Sequence, residues 1–252
     1  MPDPIAVVSV EGGVGRLRLN RPEKRNALNS DLARAVIDGM TRLDNDPEVV
    51  DIVIEGTDGA FCAGADMAEM LAAEGAGVIN ANVAGRATDR VEASPKPLIA
   101  AIDGPAYGAG ALLACACDIR ILSDRSRIRF PGAEYGLVVG AVGLPRLVGP
   151  ALATELIFTA RVVAAEEAQR IGLANRVVSV EDLAATVDEM ARTIAAASPD
   201  ALRWSKATIN AAVGGGDAVG LERQADLLLR GSEDNKVRFT AATQRITGRS
   251  SQ

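Results

Sequence analysis

The chain has 252 residues, 27 Lys and Arg against 33 Asp and Glu, 48% hydrophobic and 3% aromatic residues, and no histidine. Without histidine, Ser-His-Asp and Cys-His hydrolases and His-bearing zinc, haem or iron sites are excluded, so acid–base chemistry falls to carboxylates, Lys, Tyr or backbone dipoles. A net charge of −6 argues against a broad nucleic-acid-binding surface and leaves room for one local basic site on an anionic small molecule.

The length predicts a soluble globular chain of one domain, or one domain with an appendage. Ile5 to Val10 reads as a strand, Gly12-Gly13 as a turn, and Val14 to Leu19 as the second strand of a hairpin. Asn29 or Ser30 caps a helix whose apolar positions Leu32, Val36, Met40 and Leu43 share one face, and it stops before Asp46-Pro47. A strand follows from Val50 to Ile54, then a glycine-bearing loop, a short helix from Asp66 to Ala73 ended by Gly75 and Gly77, and a helix from Val78 to Ala93.

Ser94-Pro95-Lys96-Pro97 forces extended backbone ahead of a buried strand from Leu98 to Ile102. Gly104 to Gly110 turns into a helix reaching Ala116, followed by strands Asp118 to Leu122 and Ile128 to Phe130. Helices are expected over Gly143–Leu147, over Ala151–Thr159 and from Ala164, and the last strand over Asn175–Ser179. From Glu181 the pattern is helical only: Glu181–Ala197, Pro199–Val213 and Val219–Arg230. An α/β core with a helical C-terminal portion is predicted, divided as 1–195 and 196–252.

Cys62, Cys115 and Cys117 read as buried small residues of a protein in a reducing compartment. No second cysteine pair or histidine completes a metal site, and no metal is expected. The N-terminus shows no secretory signal. The longest apolar stretch, Leu98 to Ala116, is broken by Asp103, Pro105 and three glycines, so no membrane span and a cytoplasmic location are expected.

Two segments carry the chemistry: Phe61-Cys62-Ala63-Gly64-Ala65-Asp66 and Asp103-Gly104-Pro105-Ala106-Tyr107-Gly108-Ala109-Gly110. Both place small residues where a loop enters a helix, which leaves backbone N–H groups free and lets a ligand oxygen approach. If the turns face one another, two amides converge on one carbonyl oxygen as an oxyanion hole; the bland alternative is tight strand–helix packing. Gly104, Gly108 and Gly110 also have the spacing of the cofactor turn of short-chain dehydrogenases. Those enzymes need a Tyr with Lys four residues on, whereas Tyr107 and Tyr135 are followed at that offset by Ala111 and Val139.

Taken in order, these stretches resemble the enoyl-CoA hydratase/isomerase (crotonase) family over nearly the whole chain. They are Leu19-Asn20-Arg21-Pro22-Glu23-Lys24-Arg25-Asn26-Ala27-Leu28-Asn29, Phe61 to Asp66, Lys96 to Gly104 with its glycine turn, Cys117-Asp118-Ile119, and Ala168 through Gly172-Leu173. The resemblance implies a crotonase-like ββα superhelix whose C-terminal helices mediate trimerisation, as a homotrimer or homohexamer. It implies an acyl-CoA or enoyl-CoA thioester as ligand, coenzyme A arriving with the substrate and no separate cofactor. By resemblance the oxyanion donors are the amides of Ala65 and Ala109. Ala63 and Asp66 lie near the adenine, and Lys24 and Arg25 near the phosphates.

Hydratases of this family carry two glutamates, which here fall on Leu112 and Gly132, and an acid used by some isomerases falls near Gly140. Glu134 is the nearest surviving acid and is the candidate catalytic carboxylate; Tyr107, Tyr135 and Glu69 are weaker candidates. The expectation is an enzyme that stabilises a thioester enolate, with a catalytically silent acyl-CoA-binding protein as the alternative. The C-terminal end from Lys236 to Arg249 is shorter than the family's usual tail, which often contributes to a neighbour's coenzyme A site.

Overall fold

A computed structural model describes residues 3–75 and 83–247. The chain forms two compact units, Met1–Ala195 and Ala196–Gln252. The first opens with the hairpin β1 (Ala6–Glu11) and β2 (Val14–Leu19), antiparallel with Glu11 opposite Val14. Gly12 and Gly13 between them both hold positive φ, 58° and 85°, as a two-residue hairpin turn matched to strand twist requires.

Next come α1 (Ser30–Asn45), β3 (Asp51–Gly56), α2 (Met67–Gly75), α3 (Val83–Glu92) and β4 (Leu98–Ile102). After these follow β5 (Pro105–Tyr107), α4 (Ala109–Cys115), β6 (Ile119–Ser123) and β7 (Arg127–Arg129). The unit closes with α5 (Leu144–Val148), α6 (Pro150–Thr159), β8 (Val163–Ala164), α7 (Ala165–Arg170), β9 (Arg176–Val178) and α8 (Val180–Ala195). The six-stranded sheet has the order β1-β2-β3-β4-β6-β9, parallel from β2 onward, and a second sheet has the order β5-β7-β8. Each of β4 and β6 in the large sheet is thus followed at once by a short strand of the small one, which is how successive ββα units wind.

Both faces of the large sheet are covered, so its central strands are apolar on both sides. Ile52, Ile54, Leu98, Ala100 and Ile102 join the core under α1 and α3, while Val53, Ile99, Ala101 and Ile121 pack with Leu183, Val187 and Ala191 of α8. Helix α1 buries Leu32, Val36, Met40 and Leu43 on one face, and Asn29 caps it by accepting from Leu32 N–H at 2.9 Å. Its last turn is tied down by Lys96, 4% exposed, whose Nζ donates to the carbonyls of Leu43 and Asp46 at 2.8 and 2.6 Å.

The second unit contains α9 (Pro199–Gly214), α10 (Ala218–Leu229) and α11 (Glu233–Thr247), and among the described residues none of the three helices has a buried one. Three features go beyond the sequence reading: β5 inside the glycine turn, the two-residue β8, and α11, which lacks an apolar stripe. The helix expected over Val78–Ala93 is described as α3; Gly77, residues 78–82 and the tail beyond Thr247 lie outside the described residues. No helix among the described residues is long and apolar enough to cross a membrane.

Candidate active site

The two glycine-bearing segments lie side by side. Cys62 N–H donates to the Pro105 carbonyl and Tyr107 N–H donates to the Cys62 carbonyl, both at 3.0 Å, which makes Cys62 and Ala106 a parallel bridge pair. Ala65 and Ala109 each stand three residues beyond that bridge, and among the described residues neither amide donates to any acceptor. A Cβ placed on Gly64, whose φ is +113°, lies 3.0 Å from the Tyr107 carbonyl oxygen and 4.0 Å from Ala109 N. One placed on Gly110 meets the Cys62 carbonyl oxygen at 2.2 Å, so the close approach of the two turns depends on these glycines.

The resemblance-bearing segment around Asn26 holds the first turn in place. Buried Asn26 donates to the carbonyls of Thr57 and Ala60 at 3.1 and 2.7 Å, and its Oδ1 accepts from Arg21 N–H at 2.8 Å. The Leu28 amide donates to the Gly64 carbonyl and the Asp66 amide to the Leu28 carbonyl, leaving the intervening Ala65 amide outside the ladder. Arg21 Nη1 meets Asp66 Oδ2 at 2.7 Å, and Asp66 Oδ1 accepts from the amides of Ala68 and Glu69 at the start of α2. The Arg21 hydrogen bond, helped by those amides, holds the Asp66 carboxyl below its ordinary range.

The further motifs of the resemblance prove to be backbone clamps. Asp118 Oδ2 accepts from the first amide of β4 at 2.8 Å, and Arg120, 4% exposed, donates to the carbonyls of Leu173 and Cys117. Burial pushes the Cys62 thiol up to about 12, which leaves it an inert packing group.

A cavity of about 510 Å³ opens beside the two amides. Ala63, Ala65, Ala109, Leu112 and Gly132 line it, as do Tyr107 and Tyr135. Lys24 and Arg25 are exposed and not among its lining; Lys24 lies in a 3₁₀ turn, and the Arg25 carbonyl accepts from Ala63 N–H at 3.0 Å. Asp66 is likewise absent from the lining.

Glu134 sits exposed in a 3₁₀ turn, Ala133–Tyr135, with Oε2 paired to Arg129 Nη2 at 2.5 Å. Its neighbours Gly132 and Tyr135 and its partner Arg129 line the cavity; Glu134 does not. Glu69 is the one carboxylate in the described lining, and its Oε2 accepts from Ser30 N–H at 2.8 Å. Gly132 has no space for any side chain, since a Cβ there lies 2.6 Å from Val139 Cβ. The sequence reading gave no notice of the apolar walls from α2, α3 and residues 137–139: Met67, Met70, Val83 and Val138 are brought to the cavity by tertiary packing.

The two uncommitted amides of Ala65 and Ala109 thus stand at the wall of one open cavity. Residues 9–243 match the family model described as enoyl-CoA hydratase/isomerase. The short-chain-enoyl-CoA hydratase of Clostridium acetobutylicum is 39% identical over 213 residues, covering 81% of this chain and 80% of that protein. The crotonyl-CoA hydratase of Syntrophomonas wolfei is 39% identical over 209 residues, with 81% and 80% covered. The crystal structure of an enoyl-CoA hydratase from Bacillus anthracis superposes with a TM-score of 0.88 at 28% identity, covering 98% of each chain. The chain belongs to the enoyl-CoA hydratase/isomerase family and has the crotonase fold.

Proposed function

We propose that this protein is an enzyme that binds an acyl-CoA or enoyl-CoA thioester and stabilises its enolate through the amides of Ala65 and Ala109. The observation that carries the reading is the Cys62–Ala106 bridge with an unused N–H three residues beyond it on each strand, both at the wall of one cavity. Preorganised donors aimed at an oxygen that becomes anionic lose little reorganisation energy and act most strongly where water is scarce. Alanine serves as well as glycine at both places because the main chain is the donor. In this reading Lys24 and Arg25 supply cations for the coenzyme A phosphates, and Ala63 and Asp66 flank its adenine. Coenzyme A enters as part of the substrate.

A second reading, a catalytically silent acyl-CoA-binding protein, draws on Leu112 and Gly132 standing where paired acids would, and on Glu134 being turned to Arg129. The experiment is vibrational spectroscopy of a bound acyl-CoA labelled at its thioester carbonyl, together with turnover of enoyl-CoAs. The wild type is expected to shift the carbonyl stretch to lower frequency. Ala109→Pro removes one donor at the first position of α4, where a proline ring fits. It is expected to abolish much of the shift and to lower turnover about 10²- to 10³-fold. An unshifted carbonyl in the wild type overturns the oxyanion hole, and tight binding with no turnover on any enoyl-CoA favours the silent protein.

A further inference from the structure

We infer that Arg129 and Tyr107 form a carboxylate-binding subsite in the cavity, and that the acyl group it takes is a short dicarboxylic one, thioesterified at one end and anionic at the other. This rests on the proposed thioester site. Tyr107 and Arg129 are register partners in the parallel pair β5–β7, and both line the cavity. Paired strand residues project from the same face, so a phenol and a guanidinium stand side by side there. The pair adjoins the turn that carries Ala109: Gly108 N–H donates to the Arg129 carbonyl at 2.9 Å, one residue before that amide. A carboxylate held here is therefore only a few methylenes from a thioester at Ala109.

The guanidinium is aimed and only partly used. Its Nε donates to the Ala160 carbonyl at 2.6 Å and Nη2 to Glu134 Oε2 at 2.5 Å, whereas no bond engages Nη1 or the Tyr107 hydroxyl among the described residues. Glu134 does not use up this cation, being 48% exposed and outside the cavity lining. Arg161 shows in the same chain that one guanidinium serves two carboxylates: it meets Glu155 through Nε and Glu167 through Nη1 and Nη2. Glu69, the carboxylate of the lining, is held instead by Ser30 N–H. Against a purely hydrocarbon chain the two donors give up water and gain no partner, which is unfavourable. A carboxylate meets both in charge-assisted hydrogen bonds, and the planar fork of arginine matches its shape. Leu112, Val138 and Val139 remain for the methylenes between the two ends of the acyl group.

The test is calorimetric titration of the full chain with glutaryl-CoA and with pentanoyl-CoA, which differ only in a terminal carboxylate against a methyl group. The wild type is expected to bind glutaryl-CoA about 10- to 100-fold more tightly. Arg129→Met is expected to bring that ratio to one or below. Tyr107→Phe, which removes a single oxygen, is expected to lower it about three- to tenfold. The ratio is the readout because a disturbed fold weakens both ligands together, whereas loss of the subsite weakens glutaryl-CoA selectively. Arg129→Met also gives up the bond to Ala160; should it fail to fold, Tyr107→Phe decides. A wild type that binds pentanoyl-CoA as tightly as glutaryl-CoA overturns this inference and leaves the thioester site standing, as does a ratio undiminished in either folded variant. Failure to bind either thioester overturns the proposed function itself.

Discussion

Gly132 shows how one residue closes off a line of chemistry. A Cβ at this position lies 2.6 Å from Val139 Cβ and 2.9 Å from the Leu137 carbonyl oxygen, so residues 132–139 fold back on themselves without room for a side chain. Gly132→Glu is therefore expected to lower stability by about 1–3 kcal/mol through overpacking and to confer no hydratase activity. Chemical denaturation together with a crotonyl-CoA assay checks both halves, and a stable variant that hydrates would refute the steric account. At this scale the sequence marked the two turns, because small residues at a loop-to-helix junction leave backbone amides open, although the same residues also serve tight strand–helix packing. It ranked Glu134 above Glu69. Glu134 stood nearest in sequence to the expected place, yet a neighbouring guanidinium claims it; Glu69 looked like an ordinary charge of a helix start, and only packing of α2 against residues 28–30 gives it a cavity.

Among the elements, α1 and the apolar strands were legible because a buried face leaves a period of 3.6 and a strand covered on both sides leaves a continuous apolar run. The strands β5 and β8 were not, since two or three residues carry no period. Lys96 was not either: a lysine before a proline reads as a loop charge, whereas it sits buried on the last carbonyls of α1. Strand β3 starts with a similar surprise. Asp51 is 0% exposed, and both of its carboxylate oxygens lack a hydrogen-bond partner. Burial raises its pKa to about 7, against an opposing attraction from Arg16, which itself pairs with Glu55 and Asp188.

The sign for Asp51 follows from proton counting. Between the ordinary carboxyl value of 3.8 and about 7 the native state keeps a proton on Asp51 that the unfolded chain has released. Its contribution to stability therefore falls as pH rises through that window and stays low above it. Asp51→Asn removes the charge that must be buried at higher pH. The Tm of the variant minus that of the wild type is expected to grow from pH 4 to pH 8, measured by thermal denaturation across the range. A difference that stays flat or shrinks contradicts an uncharged Asp51 at mildly acidic pH.

For the molecule as a whole, the helical unit 196–252 leaves large apolar side chains on its surface, among them Leu227 at 82%, Phe239 at 71% and Ile246 at 85% exposed. Apolar surface on this scale is characteristic of an interaction face. We propose that other copies of the chain cover it, as the trimer or hexamer implied by the family resemblance would, and light scattering is then expected to give the mass of a trimer or hexamer. Phe239→Asp with Leu227→Asp is expected to shift the population toward monomer. A wild-type monomer at assay concentrations would contradict this assignment. The division of labour in the chain was visible early, as strands first and helices last, but α11 was not, since its charged and small residues show no apolar stripe.

The pairing of Cys62 with Ala106 has a wider consequence. Because the spacing between the Ala65 and Ala109 amides is fixed by peptide groups, exchanging side chains elsewhere around the chamber leaves that spacing unaltered. Such a scaffold can be refitted with a new acid, a base or none and still present the same two amides at the same separation, so a redesign effort can vary the walls freely while treating residues 62–65 and 106–110 as a fixed frame.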